Sequence, residues 1–131
     1  MPSKQTQETV NGSFDVIMES QQDRDTPVGR MLIKKQYSGG LSGSGLGQML
    51  SKRTERGTAL YLEIEEFEGS LDGKVGSFTL VDNGFMSAEA QRLEVKILQD
   101  SGSGELKNIS GSMEINQADG GHQYTCSYQL R

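Results

Sequence analysis

Between Thr9 and Leu130 apolar and polar residues alternate with a period of two, and glycine-bearing turn signals interrupt the alternation at short intervals. A period of two sends successive side chains to opposite faces of an extended strand, so the chain is predicted to build sheets with one wet face. Val10, Gly12, Phe14, Val16 and Met18 share one parity, and Asn11, Ser13, Asp15 and Glu19 the other, with Ile17 out of step. After a polar break from Gln21 to Pro27, Met31, Ile33 and Tyr37 again share a parity. Gly39 to Gly47 is glycine-dense and is expected to bend or bulge a strand pair.

Turn chemistry orders the middle of the chain. Leu71-Asp72-Gly73-Lys74 is a tight hairpin signal between strands expected at 63–70 and 75–81, because Asp and Gly accept the positive φ that such a turn needs. Asn83-Gly84 carries the same signal and predicts a second turn, ahead of a strand in which Leu93, Val95 and Ile97 alternate with Arg92, Glu94 and Lys96. The segment from Met86 to Leu93 holds good helix formers, but its flanking hairpins favour a strand. Ser101-Gly102-Ser103-Gly104 breaks the pattern, a single helical turn is expected at 105–108, and two strands follow, joined at Asp119-Gly120-Gly121. His122, Tyr124, Cys126, Tyr128 and Leu130 share one face of the last strand. About eight short-linked strands predict an all-β fold, a single antiparallel barrel, because closure removes exposed strand edges. A chain of 131 residues holds one such domain, read as residues 9–131 after a flexible N-terminus of residues 1–8.

Composition narrows the function. Eighteen acidic against 13 basic residues give a net charge of −5, which leaves no general electrostatic drive toward nucleic acid. One cysteine and one histidine cannot assemble a Cys/His zinc site, so no metal and no cofactor are expected. The N-terminal Met1 to Gln7 lacks the apolar core of a signal peptide, and no apolar run reaches membrane-spanning length. The expected setting is soluble and cytoplasmic, away from membranes.

With these segments placed, the chain resembles a bacterial family of small proteins of unknown function whose members adopt a barrel like that of allene oxide cyclase. The resemblance rests on Gly57-Thr58-Ala59-Leu60-Tyr61, on Glu65, Phe67, Gly69, Leu71, Asp72 and Gly73, and on Gly76-Ser77-Phe78. It continues through Ser101-Gly102-Ser103-Gly104-Glu105-Leu106 and Gly121-His122-Gln123-Tyr124. Against the family's pattern, Glu63 stands where a small residue is common and Asp82 where a histidine is common. The resemblance implies a closed or nearly closed barrel and no particular reaction.

Candidate chemistry is sparse. His122 is the obvious general acid or base; the competing reading, a wall histidine bonded to a neighbour, is preferred because no orienting acid lies nearby in sequence. A His122–Cys126 nucleophilic pair is disfavoured, since four residues of strand span roughly 13 Å, and Cys126 reads as a small buried hydrophobe between two tyrosines. Glu63, Glu65, Glu66 and Glu68 form an acidic run that reads first as a solvated face and second as acid–base or cation-binding chemistry. Leu60, Leu62 and Ile64 have one parity and Phe67 the other, so a β-bulge at Glu65-Glu66 is expected, turning Glu65 inward. Lys52, Arg53 and Arg56 read as a solubilising basic knot.

The leading expectation is a barrel that binds an apolar or amphipathic small molecule in its lumen, with Tyr61, Phe67, Tyr124 and Tyr128 as ligand-binding residues. The first alternative is a cofactor-free isomerase or cyclase using Glu65 or His122 for proton transfer. The second is a structural protein that self-associates as a homo-oligomer. A purely apolar pocket favours the binder, a pocket holding a buried carboxylate or histidine with a displaced pKa favours the enzyme, and a sealed interior favours the structural protein.

Overall fold

The computed structural model describes residues 7–22, 24–118 and 121–131. Nine strands run in order: β1 (Glu8–Gln21), β2 (Gly29–Gly39), β3 (Leu41–Arg53), β4 (Ala59–Leu71), β5 (Lys74–Met86), β6 (Gln91–Ile97), β7 (Ser103–Gly104), β8 (Ser110–Ala118) and β9 (Gly121–Gln129). Each of β1 to β5 pairs antiparallel with its successor, β6 pairs with β8, β8 with β9, and β9 returns to β1. The sheet therefore closes into an antiparallel barrel of eight strands, and the short β7 adds to the outer part of β5. No helix among the described residues is long and apolar enough to cross a membrane.

The Asp72-Gly73 hairpin forms as its chemistry dictates, with φ of 49° and 84° at the two turn residues. The helical turn expected at 105–108 is instead a run of tight turns, closed by Leu106 N–H to Ser103 O and Ile109 N–H to Leu106 O, with Asn108 at a left-handed φ of 69°. The expected turn at 119–121 lies largely outside the described residues, as do Asp23 of the first loop and most of the N-terminal segment; Glu8 already opens β1.

Two further expectations need correction. Asn83-Gly84 is no turn: β5 continues to Met86, with Asn83 opposite Leu62 and Gly84 opposite Tyr61. The glycine is there for space, since a Cβ on Gly84 would fall on the Tyr61 ring. The chain reverses at 87–90, within the segment 86–93 expected as a strand, where the Ser87 hydroxyl accepts hydrogen bonds from the N–H groups of Glu89 and Ala90. The second correction concerns β4, which pairs one-to-one with β3 and β5 from Ala59 to Leu71 and leaves no room for a bulged residue. The pleat is unbroken. It buries Phe67 completely and turns Leu60, Leu62 and Ile64 to the outer wall, where they join Leu32, Leu46, Leu50 and Val81 in an apolar strip. The apolar trio faces outward and needs no bulge, because the inward parity carries Glu63 and Glu65 instead.

The interior is divided along the barrel axis. One half is solid: Leu41, Phe67, Leu71, Phe78, Leu80, Leu106, Ile109 and Tyr128 fill it, and none is more than 2% exposed. The Tyr124 hydroxyl ties this half together, accepting a hydrogen bond from Leu41 N–H at 2.8 Å and donating to Ser38 O at 2.8 Å. The other half is open.

Candidate functional site

The boundary between the two halves is a layer of charge. Inward parity on β2 runs Ile33, Lys35, Tyr37; on β4 it runs Tyr61, Glu63, Glu65, Phe67; on β5 it runs Leu80, Asp82, Gly84. Lys35, Glu63, Glu65 and Asp82 are all buried, Glu65 completely. Charged side chains are almost never buried without partners, so the contacts decide what each can do.

Strand β3 lets them meet. Gly45 and Gly47 lie between the side chains of β2 and those of β4, with Gly45 opposite Lys35 and Phe67, and Gly47 opposite Ile33 and Glu65. A Cβ on Gly45 would strike the Glu65 carboxylate and stand 3.1 Å from the Tyr37 ring; one on Gly47 would strike the Glu63 carboxylate. β3 pairs one-to-one with both neighbours through these glycines, without the expected bulge, and their missing side chains open a passage across its inner face.

Through that passage Lys35 Nζ reaches Glu65 Oε1 at 2.8 Å and Glu63 Oε1 at 4.0 Å, and Tyr37 donates its hydroxyl proton to Glu65 Oε2 at 2.5 Å. Both oxygens of Glu65 are therefore committed to the protein. Burial works against the charge on Lys35, but Glu65 and Glu63 more than offset it and hold its pKa above the usual value. The ammonium also lies 4.9 Å from the centre of the Phe14 ring, a cation–π contact. Burial and the adjoining Glu65 charge raise the pKa of Tyr37, so its hydroxyl stays protonated and donates to Glu65.

Glu63 and Asp82 are different. They stand directly opposite each other in the β4–β5 register, and Glu63 Oε2 and Asp82 Oδ1 are buried without a hydrogen bond from any protein donor. Burial pushes Glu63 up to about 8, helped by the charges of Asp82 and Glu65 and opposed by Lys35. Burial likewise pushes Asp82 up to about 6, with Glu65 adding to the effect and Lys35 opposing it. Two buried carboxyl groups that face each other cannot both ionise cheaply, so near neutral pH the pair holds one proton between them.

Above this pair lies a cavity of about 240 Å³. Its floor is Lys35, Glu63 and Asp82; its walls are Phe14, Val16, Met18, Ile33, Met49, Tyr61, Leu93 and Ile115; Gln117 and His122 complete the lining. His122 stacks on Phe14 with ring centres 5.0 Å apart, and its Nε2 lies 3.3 Å from Gln117 Nε2. Among the described residues no group of three His, Cys, Asp or Glu side chains is arranged to hold a metal ion.

The residues singled out in the sequence are thus divided. Tyr61 and His122 line the cavity; Glu65 lies below its floor with both oxygens occupied; Phe67, Tyr124 and Tyr128 belong to the packed half and do not reach it. Cys126 is buried as a small core residue, and Lys52, Arg53 and Arg56 are exposed. The acidic run splits, Glu63 and Glu65 inside, Glu66 and Glu68 outside. Lys35 was not among the residues singled out in the sequence, and Asp82 stood out only as a departure from the family's pattern, without a role. The signal was present: each is a charged residue on the apolar parity of its strand, Lys35 between Ile33 and Tyr37, Asp82 between Leu80 and Gly84.

Comparison with known proteins agrees with the fold and assigns no chemistry to the chamber. No curated protein matches the chain. A solved structure from Shewanella oneidensis MR-1, described as a protein with unknown function from the DUF3224 family, superposes with a TM-score of 0.87 at 34% sequence identity, covering 98% of each chain. The profile of the same family, described as proteins of unknown function, matches residues 10–128, so the chain belongs to the DUF3224 family.

Proposed function

We propose that the open half of the barrel is a binding chamber for one small amphipathic molecule, its apolar body against the aromatic and aliphatic walls and its polar head on the Glu63–Asp82 pair. The observation that carries this reading is the presence of two buried carboxyl oxygens without a protein donor at the floor of an otherwise largely apolar cavity. Ligand pockets pair apolar walls with a few placed polar groups, and the volume is below the roughly 300–1,000 Å³ typical of drug-sized ligands, so the molecule is small. A self-associating structural barrel would need no such chamber. The single free, buried thiol of Cys126 supports a reducing, cytoplasmic setting. Native mass spectrometry of the protein purified from its source tests the proposal. A retained small molecule, lost on Tyr61→Ala substitution, is expected; an empty barrel whose melting temperature responds to no small amphipathic molecule overturns it.

The same buried carboxyl pair, with its displaced pKa values, is the feature expected of an enzyme rather than of a purely apolar binder, and it supports a second reading. A carboxyl pair that exchanges one proton near neutral pH, inside a cavity and beneath His122, suits a cofactor-free isomerase or cyclase. In that reading Glu63 and Asp82 take the proton-transfer role first given to Glu65, because Glu65 has no free oxygen. Exchange of a carbon-bound hydrogen of the retained molecule for solvent deuterium, abolished in Asp82→Asn, is its expected signature.

A further inference from the structure

We infer that the head group received by the Glu63–Asp82 pair is a protonated amine, which on binding takes the place of the proton shared by the two carboxyl groups. This rests on the chamber reading and names its ligand class.

The argument is one of charge and partners. Three carboxyl groups, Glu63, Glu65 and Asp82, face one ammonium, Lys35, and that ammonium is held closest by Glu65, at 2.8 Å against 4.0 Å for Glu63. Glu63 and Asp82, 5% and 4% exposed, are left with acceptor oxygens that no protein donor reaches. The shared proton satisfies one acceptor, whereas an ammonium offers three donors and full charge at the same place. Exchange of one proton for one ammonium leaves the net charge of the cluster unchanged, so the ligand meets no new electrostatic penalty from Lys35. A carboxylate head would add a third negative charge beside the pair, and a hydroxyl head would add one donor and no charge.

The fold already accommodates an ammonium in this way, since Lys35 Nζ sits between the Glu65 carboxylate and the face of Phe14. The ring of Tyr61 lines the same chamber and offers a second cation comparable surroundings. The groups around the pair are Lys35 and Tyr37 on β2, Tyr61 and Glu65 on β4 and His122 on β9. The inward residues of β1, β3, β6 and β8 that line the chamber are uncharged.

In chemical terms, the protein with one proton on the pair plus one alkylammonium gives the protein with both carboxylates ionised around the ammonium plus one proton released to buffer. No covalent bond other than the O–H bond changes.

The test compares three probes with the same six-carbon body: hexylamine, hexan-1-ol and hexanoate. Each is titrated calorimetrically at pH 7 into the intact protein, in two buffers of different ionisation enthalpy. Hexylamine is expected to bind at least about tenfold more tightly than hexan-1-ol, with release of close to one proton, and hexanoate more weakly than either. Asp82→Asn and Glu63→Gln, two independent near-isosteric variants checked for native circular dichroism, are expected to lose both the amine preference and the proton release. Binding of hexan-1-ol or hexanoate as tightly as the amine would overturn the inference while leaving the chamber reading in place. Amine binding without proton release would overturn the exchange. Failure of all three probes would overturn the chamber reading and this inference with it.

Discussion

Glu63 and Asp82 face each other across the β4–β5 pairing with both side chains inside the barrel, and the folded protein therefore holds a proton that the unfolded chain would release. Their ordinary values are 4.5 and 3.8, and both are raised. A carboxyl group with a raised folded-state pKa favours folding most below its unfolded value and loses that contribution as pH rises through the folded one. The window runs from about pH 4 to about pH 8. The melting temperature is expected to fall across that window. Glu63→Gln should flatten the fall and melt several degrees above the parent at pH 9, where the parent carries an uncompensated buried charge. Thermal unfolding followed by circular dichroism at pH 5, 7 and 9 checks this, and parallel curves for parent and variant would contradict it.

Lys35 and Glu65 form the buried ion pair of the charged layer. Removing one member of such a pair typically costs about 3–5 kcal/mol, because the remaining charge keeps its desolvation penalty and loses its partner. Lys35→Met is expected to destabilise the barrel by that order. The double variant Lys35→Met/Glu65→Gln should recover most of the loss, since the amide carbonyl still accepts the Tyr37 hydroxyl. Denaturant unfolding of the parent, the two single variants and the double variant measures the coupling.

Gly45 lets Tyr37 and Glu65 touch across β3. Alanine there would bring a methyl group onto the Glu65 carboxylate and to 3.1 Å from the Tyr37 ring. Overpacking of this kind costs about 1–3 kcal/mol. Gly45→Ala is expected to lower the melting temperature by several degrees, while Gly57→Ala, with open space around its Cβ but a φ of 88°, loses stability through backbone strain alone. Combining Gly45→Ala with Tyr37→Phe separates the two mechanisms: it should relieve none of the clash with Glu65, whereas Gly45→Ala with Glu65→Ala should relieve most of it.

Burial pushes the Cys126 thiol up to about 11, and the side chain is wholly enclosed by the packed half of the barrel. The thiol should resist a water-soluble disulfide reagent at pH 8 in the folded protein and react fully once the chain is unfolded in guanidinium. Rapid labelling of the native protein would show that this half opens on its own.

The strands were legible because each is written in its own residues. The parity of Phe14, Val16, Ile33, Tyr37, Val95, Ile97, Tyr124 and Cys126 separates the two faces, and Asp72-Gly73 carries the φ values its hairpin uses. The errors arose where a residue's reason lay in another strand. Asn83-Gly84 has the chemistry of a turn, but Gly84 is required by the Tyr61 ring across the β4–β5 pairing. Leu60, Leu62 and Ile64 have the look of a core face, yet the interior at that level belongs to Glu63 and Glu65 because Lys35 and Tyr37 reach them past Gly45 and Gly47.

The sequence by itself determined the local geometry: extended strands, the main hairpin, and a chain short enough to close a single antiparallel barrel. Those features depend on neighbours within a few positions. Only the tertiary structure decided which parity of β4 is interior, that Glu65 is spent on Lys35 and Tyr37, and that Glu63 and Asp82 share the floor of a chamber with His122 among its lining. These outcomes depend on register between strands far apart in the chain: Glu63 and Asp82 are 19 positions apart, Lys35 and Glu65 30, and Phe14 and His122 108. A buried charge is tolerated or excluded according to the partner that register brings within hydrogen-bond reach, and that partner is not part of the charge's own local sequence.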